Sequence, residues 1–136
     1  MDAKDIFKTF ESLEAYKVAC EFRKEMHAVA GKLPDTKKFG LASQIRRAAV
    51  SLTNNIAEGH GRHHYLDQIK FMLQARGSLE ELIDDLNVCT DEKYLPAAEV
   101  DKLKQDGWVY LNCLAVTSAF CANAKLERIL RCERCR

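Results

Sequence analysis

The fold is decided by residues 39–62, which read FGLASQIRRAAVSLTNNIAEGHGR. Apolar residues recur in this segment at intervals of three and four, and that spacing predicts an amphipathic α-helix with one buried face. The predicted buried face consists of Leu41, Ile45, Ala48, Ala49, Leu52 and Ile56. Because a helix with one apolar side must be covered by other elements, the segment predicts a helix that packs into the core of a folded domain.

The same helix carries a second, polar face beside the apolar one. At about 100° of rotation per residue, the members of this face fall within about a quarter to a third of the circumference. We call it the polar stripe, and its members are Gln44, Arg47, Ser51, Asn54, Asn55, Glu58 and Arg62. Residues 53–55 read Thr-Asn-Asn. These are poor helix formers, so a favourable contact is expected to offset their cost.

The polar stripe has two interpretations, and the sequence leaves both open. In the first, its side chains hydrogen-bond one another or a neighbouring helix, because buried polar groups nearly always find partners. The structural or interface residues would then be Gln44, Ser51, Asn54, Asn55 and Glu58. In the second, Arg47 and Arg62 contact a ligand or a nucleic acid, and the amide side chains orient them.

Length and composition indicate one soluble globular domain that spans residues 1–136. Apolar residues make up 47% of the chain and charged residues 30%, which is typical of a folded protein. We find no secretory signal and no apolar run of membrane-spanning length, so we expect a cytoplasmic protein with no membrane partner. Four cysteines fall in helical patterns and are expected to be small core residues, namely Cys20, Cys89, Cys113 and Cys121.

Four helical segments alternate with short turns, and this arrangement predicts an all-α fold, an antiparallel up-and-down four-helix bundle. The segments cover about residues 10–31, 41–58, 64–90 and 97–130, and a short basic tail that contains cysteines follows. Gly59 and Gly61 are expected to end the second helix. Gly77 lies inside the third helix, where glycine costs up to about 1 kcal/mol relative to alanine, so it predicts a close approach by another helix.

Apolar spacing also predicts which sides of the first and third helices are buried. The predicted core side of the first helix passes through Leu13, Tyr16, Cys20, Arg23 and Met26 to Ala30. That of the third helix consists of Leu66, Ile69, Leu73, Leu79, Leu82, Ile83 and Leu86. The opposite sides of both helices are expected to face solvent.

Charge is nearly balanced overall but is unevenly distributed along the chain. The formal net charge is +1, whereas residues 37–62 carry +4, residues 125–136 carry +3 and residues 63–101 carry −6. A basic face attracts a phosphate backbone, and it can equally bind the acidic face of a neighbouring subunit. The candidate phosphate contacts are Lys37, Lys38, Arg46, Arg47, Arg62, Arg128, Arg131 and Arg134. No aromatic residues are interleaved with them, so stacking on unpaired bases is not expected.

The sequence contains no strong catalytic or metal-binding motif. The residues that come nearest to one are His60, His63 and His64 beside a glycine bend and the CxxC pair Cys132 and Cys135. Structural zinc needs four ligands and a second half-site is missing, so no metal and no cofactor are expected. The acidic run at residues 80–85 is expected to be a solvated helix face or the docking partner of a neighbour's basic stripe. Since a nucleophile elbow and a phosphate loop are also missing, we expect that the chain is not an enzyme.

Residues 44–62 closely resemble the signature of the bacterial four helix bundle family, which includes proteins encoded in intervening sequences of 23S ribosomal RNA genes. The signature positions in this chain are Gln44, Arg46, Arg47, Asn55, Glu58, Gly59, Gly61 and Arg62. Further positions that carry the resemblance are Gly77-Ser78, Glu80, Glu81 and Tyr94-Leu95. Residues 52–54 depart from it, since they read Leu-Thr-Asn where the family often has isoleucine, proline and serine. The cysteine-bearing tail has no counterpart in the family.

The resemblance implies an up-and-down bundle that assembles into a ring-like homopentamer. It also implies a more distant kinship with the accessory variability determinant proteins of diversity-generating retroelements, which partner a reverse transcriptase and bind nucleic acid through a basic surface. We therefore expect a non-enzymatic oligomer that binds RNA or DNA through a basic face contributed by several subunits. The alternative is a protein-interaction scaffold or an accessory subunit, for example of a reverse transcriptase, in which the polar stripe serves assembly.

Overall fold

The computed structural model describes residues 9–37 and 39–114, and within them it contains four α-helices. Helix α1 covers Glu14–Lys32, α2 covers Leu41–His60 and α3 covers Tyr65–Asp91, while α4 runs from residue 97 to 114. Short 3-10 turns cover Phe10–Ser12 and Asp35–Lys37. No strand occurs in these two ranges. The predicted all-α class is confirmed, and the fold is consistent with a four-helix bundle.

Helices α1 and α4 pack against each other and run antiparallel. Lys32 at the C-terminal end of α1 forms an ion pair with Glu99 near the start of α4. Ten residues before Lys32, the ring of Phe22 packs edge-on against the ring of Tyr110, with 4.9 Å between the ring centroids. The first and last helices therefore close the bundle.

The core lies between the four helices and is filled by apolar side chains. Its largest fully buried apolar members are Phe22, Met26, Val29, Ile45, Leu52, Ile56, Leu79, Leu82, Leu86 and Val100. Burying each side chain of this kind contributes about 1.5–3 kcal/mol to folding, so core packing supplies the main stabilising free energy. The predicted apolar face of α2 is confirmed by the burial of Ile45, Ala48, Ala49, Leu52 and Ile56, and Leu41 is partly buried.

The buried side of α1 differs from the predicted one. Its buried residues are Ala15, Ala19, Phe22, Met26, Val29 and Ala30, whereas Tyr16, Cys20 and Arg23 are only partly buried. The helix is rotated so that Phe22 enters the core, and Arg23 donates a hydrogen bond from Nη1 to Thr53 Oγ1 of α2 at 2.9 Å. The second half of the predicted side is confirmed by the burial of Met26, Val29 and Ala30. The first half is wrong, because both sides of α1 contain apolar residues at intervals of three and four and spacing alone does not choose between them.

The N-terminal half of α3 also turns a different side to the core. Leu66 and Leu73 are 72% and 57% exposed, so their predicted burial is wrong. Met72, Ala75 and Ser78 are buried instead. The hydroxyl groups of Ser78 and Ser51 of α2 are 2.9 Å apart, and this short contact selects the side of α3 that carries small residues. The C-terminal half follows the prediction, with buried Leu79, Leu82, Ile83 and Leu86.

Gly77 does not mark a close helix contact, so that prediction is wrong. It is exposed, and a Cβ atom added there would meet no other atom within 4 Å. The close contact lies at Gly59, which is buried inside α2, where an added Cβ would lie 2.9 Å from Cβ of Phe71 on α3. Helix α2 ends at His60, two residues later than predicted, and Gly61 forms its C-cap, with the Gly61 N–H group donating to Glu58 O at 3.1 Å. The glycine that matters for packing is therefore the one at the α2–α3 bend.

None of the helices in the described ranges combines the length and the apolarity that crossing a membrane requires. Three of the predicted core cysteines lie in these ranges and are free thiols. Cys89 is buried as predicted, whereas Cys20 and Cys113 are only partly buried. Burial raises the pKa of the Cys89 thiol, and the Asp85 charge adds to this effect.

Several predictions fall outside the residues that the structure describes. They concern the continuation of the fourth helix to about residue 130 and the residues Lys38, Cys121, Arg128, Arg131, Cys132, Arg134 and Cys135.

Candidate nucleic-acid interface

The outer side of α2 contains an open groove with a volume of about 580 Å³. The groove follows the helix for three turns and combines cationic, amide and hydroxyl side chains. Its lining consists of Ser43, Arg46, Arg47, Val50, Ser51, Asn54 and Asn55. These positions recur at intervals of three and four, so the regular geometry of α2 places them on one side.

Arg46 and Arg47 are the cationic side chains of the groove. Arg47 is exposed and Arg46 is half-buried. In the part of the chain that the structure describes, neither guanidinium lies within 4 Å of a carboxylate, and all the ion pairs formed there involve other side chains. Each guanidinium presents up to five N–H donors in a planar fork that matches a phosphate or a carboxylate. The groove is therefore suited to an anion.

Ser51 and Asn55 form the floor of the groove and also join α2 to α3. The Ser51 hydroxyl lies 2.9 Å from the Ser78 hydroxyl, and Ser78 also donates to Gln74 O at 3.2 Å. Asn55 Nδ2 donates to Ser51 O at 2.9 Å and to Ser51 Oγ at 3.2 Å. These contacts hold two members of the polar stripe in place and use much of their hydrogen-bonding capacity inside the fold. Asn54 is exposed and lines the groove.

Arg62 belongs to a different place in the molecule. Its Nη2 donates to Glu58 Oε1 at 2.7 Å, and its guanidinium carbon lies 4.9 Å from the centroid of the Phe71 ring. The backbone carbonyl of Arg62 accepts a hydrogen bond from Gln68 Nε2 at 2.6 Å. Arg62 thus stabilises the bend between α2 and α3, and it does not line the groove.

The other predicted residues lie apart from the groove. Lys37 ends the 3-10 turn before α2 and is exposed. Gln44 is exposed on α2 but does not line the groove. Of the basic candidates in the described residues, the structure therefore brings only Arg46 and Arg47 together there.

Asp85 is a residue whose environment the sequence analysis predicted wrongly. The acidic run at residues 80–85 was expected to be solvated, but Asp85 is only 3% exposed, and its Oδ2 atom has no hydrogen-bond partner in the described structure. The pKa of Asp85 is raised to about 6, chiefly by burial; the charges of Glu81 and Asp84 add to the rise and Arg47 opposes it. The signal was present in the sequence, because Asp85 follows Leu82 of the predicted core side by three residues and directly precedes Leu86.

The hydrogen bond between Arg23 and Thr53 was also missed. Thr53 is 1% exposed, and its hydroxyl accepts from Arg23 and donates to Val50 O at 3.2 Å. These two bonds explain how a threonine is accommodated inside α2. Arg23 and Thr53 are thirty positions apart, and no local sequence pattern predicts a contact over that separation.

Within residues 9–37 and 39–114, no group of three or more His, Cys, Asp or Glu side chains is arranged to hold a metal ion. His63 and His64 are exposed in the bend between α2 and α3, and His60 is half-buried at the end of α2. The histidine cluster of the sequence is therefore spread around this bend.

Comparison with known proteins places the chain in a family. A search of curated proteins found no match to it. The sequence model of the 23S rRNA-intervening sequence protein family matches residues 11–108, which is well over half of the chain and includes all of α1, α2 and α3. This match confirms the part of the resemblance that concerns intervening sequences, while the kinship with retroelement proteins stays a prediction. The chain belongs to the 23S rRNA-intervening sequence protein family.

Proposed function

We propose that the chain is a non-enzymatic, cytoplasmic protein that binds RNA or DNA through the groove on α2. The observation that carries this proposal is the pair of adjacent guanidinium groups of Arg46 and Arg47 at the groove, neither of which has a carboxylate of the described residues within 4 Å. Both would contact phosphate oxygens, and the exposed amide of Asn54 would donate to a phosphate or a sugar.

The chemistry of the groove favours the backbone of a nucleic acid over its bases. No aromatic side chain lines the groove, so it has no platform on which bases can stack. Contacts to phosphates carry no sequence information and weaken steeply as salt rises, because bound counterions are released on association. We therefore expect binding that depends on salt and tolerates many sequences.

We further propose that the binding species is a homo-oligomer, with a pentamer as the number that the resemblance implies. Two arginines per chain would hold a nucleic acid weakly, whereas several copies of the groove on one particle would gain avidity. Two exposed leucines on one side of α3, Leu66 and Leu73, support an interface there, because monomers rarely expose large contiguous apolar patches. The exposed large apolar residues outside the groove include Phe39, Leu66, Leu73, Val88, Trp108 and Val109.

The test is the affinity of the purified protein for a fluorescent oligouridylate, measured by anisotropy from low to moderate salt. We expect the double variant Arg46→Ala, Arg47→Ala to bind at least about tenfold more weakly and to lower the salt slope by about two. Arg76→Ala is the control for the loss of a surface guanidinium, because Arg76 is exposed on α3 and lies near Glu80, outside the groove. Absence of binding by the wild-type protein at the lowest salt would refute the proposal.

The second candidate function is a protein-interaction scaffold or an accessory subunit, for example of a reverse transcriptase, in which the polar stripe serves assembly. Its support is that Ser51, Asn55, Glu58 and Arg62 already form contacts within the chain. The variant Arg47→Ala, Arg62→Ala separates the two functions. Loss of the oligomer in light scattering favours the scaffold, whereas an intact oligomer with weaker oligouridylate binding favours the nucleic-acid interface.

A further inference from the structure

Asp85 lies beside the N-terminal half of the groove, on the opposite helix. Near the bend, Gly59 of α2 packs against Phe71 of α3, and farther from it Ser51 meets Ser78. The two helices therefore run antiparallel, and seven residues along α3 correspond to about eight residues back along α2. Asp85, seven residues beyond Ser78, is consequently level with the position two turns before Ser51.

Arg47 lies on α2 between the level of Asp85 and Ser51. Its Cα atom lies one turn before Ser51, and side chains on a helix lean toward the helix N-terminus, so the guanidinium is carried toward the level of Asp85. The charge of Arg47 acts on the Asp85 carboxylate, yet no ion pair within 4 Å joins the two side chains. Arg47 also lines the groove. One guanidinium thus lies within the influence of both a buried carboxylate and the anion site.

We propose that the Asp85 carboxylate and a bound phosphate compete for Arg47, so that protonation of Asp85 strengthens the hold of the groove on a phosphodiester backbone. This inference rests on the proposed function and adds its regulation. When Asp85 is ionised, its charge offsets that of Arg47 and repels a phosphate. When Asp85 is neutral, both effects disappear.

The charges that act on Asp85 come from two helices. Glu81 and Asp84 lie on α3 with it, and Arg47 acts from α2. The buried thiol of Cys89 lies one turn farther along α3 and also interacts with Asp85. Because burial raises the pKa of Asp85 to about 6, the carboxyl group changes its charge under conditions in which the protein and a phosphodiester can both be handled. Binding and protonation are then linked, and a bound phosphate raises the pKa of Asp85 in turn.

The experiment compares the oligouridylate affinity of the full chain at about pH 5 and about pH 7.5, at low salt. Uridine does not titrate in this range. We expect the wild-type protein to bind about fivefold or more tightly at the lower pH. Asp85→Asn should bind at the higher pH nearly as tightly as the wild-type protein does at the lower pH. Asp91→Asn is the matched control, because it removes one carboxylate from an exposed position of α3 whose charge is not among those that act on Asp85, and it should leave the pH dependence unchanged.

The outcomes distinguish this inference from the proposed function. All other ionisable groups are the same in Asp85→Asn and the wild-type protein, so a difference between the two in pH dependence reports Asp85. Binding with the same pH dependence in both proteins would overturn the inference and leave the proposed function intact. No binding at either pH would overturn both.

A measurement on the wild-type chain removes any dependence on the folding of the variant. The carboxyl carbon signal of Asp85 in an NMR titration gives the pKa of this group directly. We expect saturating oligouridylate to raise that pKa, since the bound phosphate adds negative charge beside Asp85. An unchanged pKa in the presence of bound oligouridylate would overturn the inference.

Discussion

Asp85 sits where α3 faces α2, and its carboxyl group is almost removed from water. Desolvation disfavours the ionised form, so the pKa rises from 3.8 to about 6. Because the folded state prefers the protonated form, the stability that this group contributes is fully present below the unfolded pKa. That contribution is lost as the pH rises through the folded pKa. At neutral pH the ionised Asp85 therefore lowers the stability of the fold.

We expect Asp85→Asn to raise the free energy of unfolding at about pH 7.5 by on the order of 1 kcal/mol and to leave it nearly unchanged at about pH 4. Asparagine keeps the shape of the side chain and removes the charge. Urea unfolding followed by circular dichroism at both pH values gives the difference. The pKa of Glu25 is also raised by burial, but Glu25 is present in both proteins, so its contribution to the difference in stability cancels. A variant that is less stable than the wild-type protein at neutral pH would contradict the prediction.

At the scale of the helices, α2 and α3 each contain a glycine, and the two glycines lie in opposite environments. Gly59 is buried against Phe71, with no room for a Cβ atom, whereas Gly77 is surrounded by open space. Both have a helical backbone, so alanine gains the same intrinsic helix propensity at each position. Any difference between the two substitutions therefore reports the packing of α2 on α3.

We expect Gly59→Ala to lower the free energy of unfolding by about 1–3 kcal/mol, because the added methyl group forces α2 and α3 apart. Gly77→Ala should raise it by up to about 1 kcal/mol, because only the propensity changes. Urea unfolding of the two variants under identical conditions measures both effects. Changes of equal sign and size would show that Gly59 is not in a tight contact.

The helices differ in how far their packing can be predicted from the sequence. In α2, polar residues occupy every side of the helix except one, so apolar spacing identifies a single buried face. In the first half of α3, Leu66 and Leu73 form one apolar side while Met72 and Ala75 form another, and spacing alone does not choose between them. The choice depends on Ser78 meeting Ser51, which is a contact between helices.

The groove was predicted only in part for a similar reason. The helical wheel places Arg47 and Arg62 on one side, but α2 ends at His60, so Arg62 lies beyond the end of the helix. Arg62 donates a hydrogen bond to Glu58 and lies over the ring of Phe71, whereas Arg47 lines the groove. The helical wheel shows which residues share a direction, and it does not show which neighbours each one meets.

Across the whole molecule, the segments that contain α2 and α3 carry charge of opposite sign. The segment that contains α2 is basic, and residues 63–101, which contain α3, carry −6. Glu80, Glu81 and Asp84 are exposed on α3, so they repel a phosphate backbone that approaches from that side. A nucleic acid is therefore expected to meet the particle on the outer side of α2. In an oligomer this orientation would be repeated in every subunit.

The tight contact at Gly59 also limits sliding between α2 and α3. If α3 moved by one helical turn, about 5.4 Å, toward the N-terminus of α2, Phe71 would face Asn55 instead of Gly59, and Asn55 carries a Cβ atom. Because the hairpin fits together in one alignment, the axial offset between Asp85 and Arg47 is also set, although both lie far from the bend. A residue with no side chain thus determines how strongly a distant carboxyl group influences the groove.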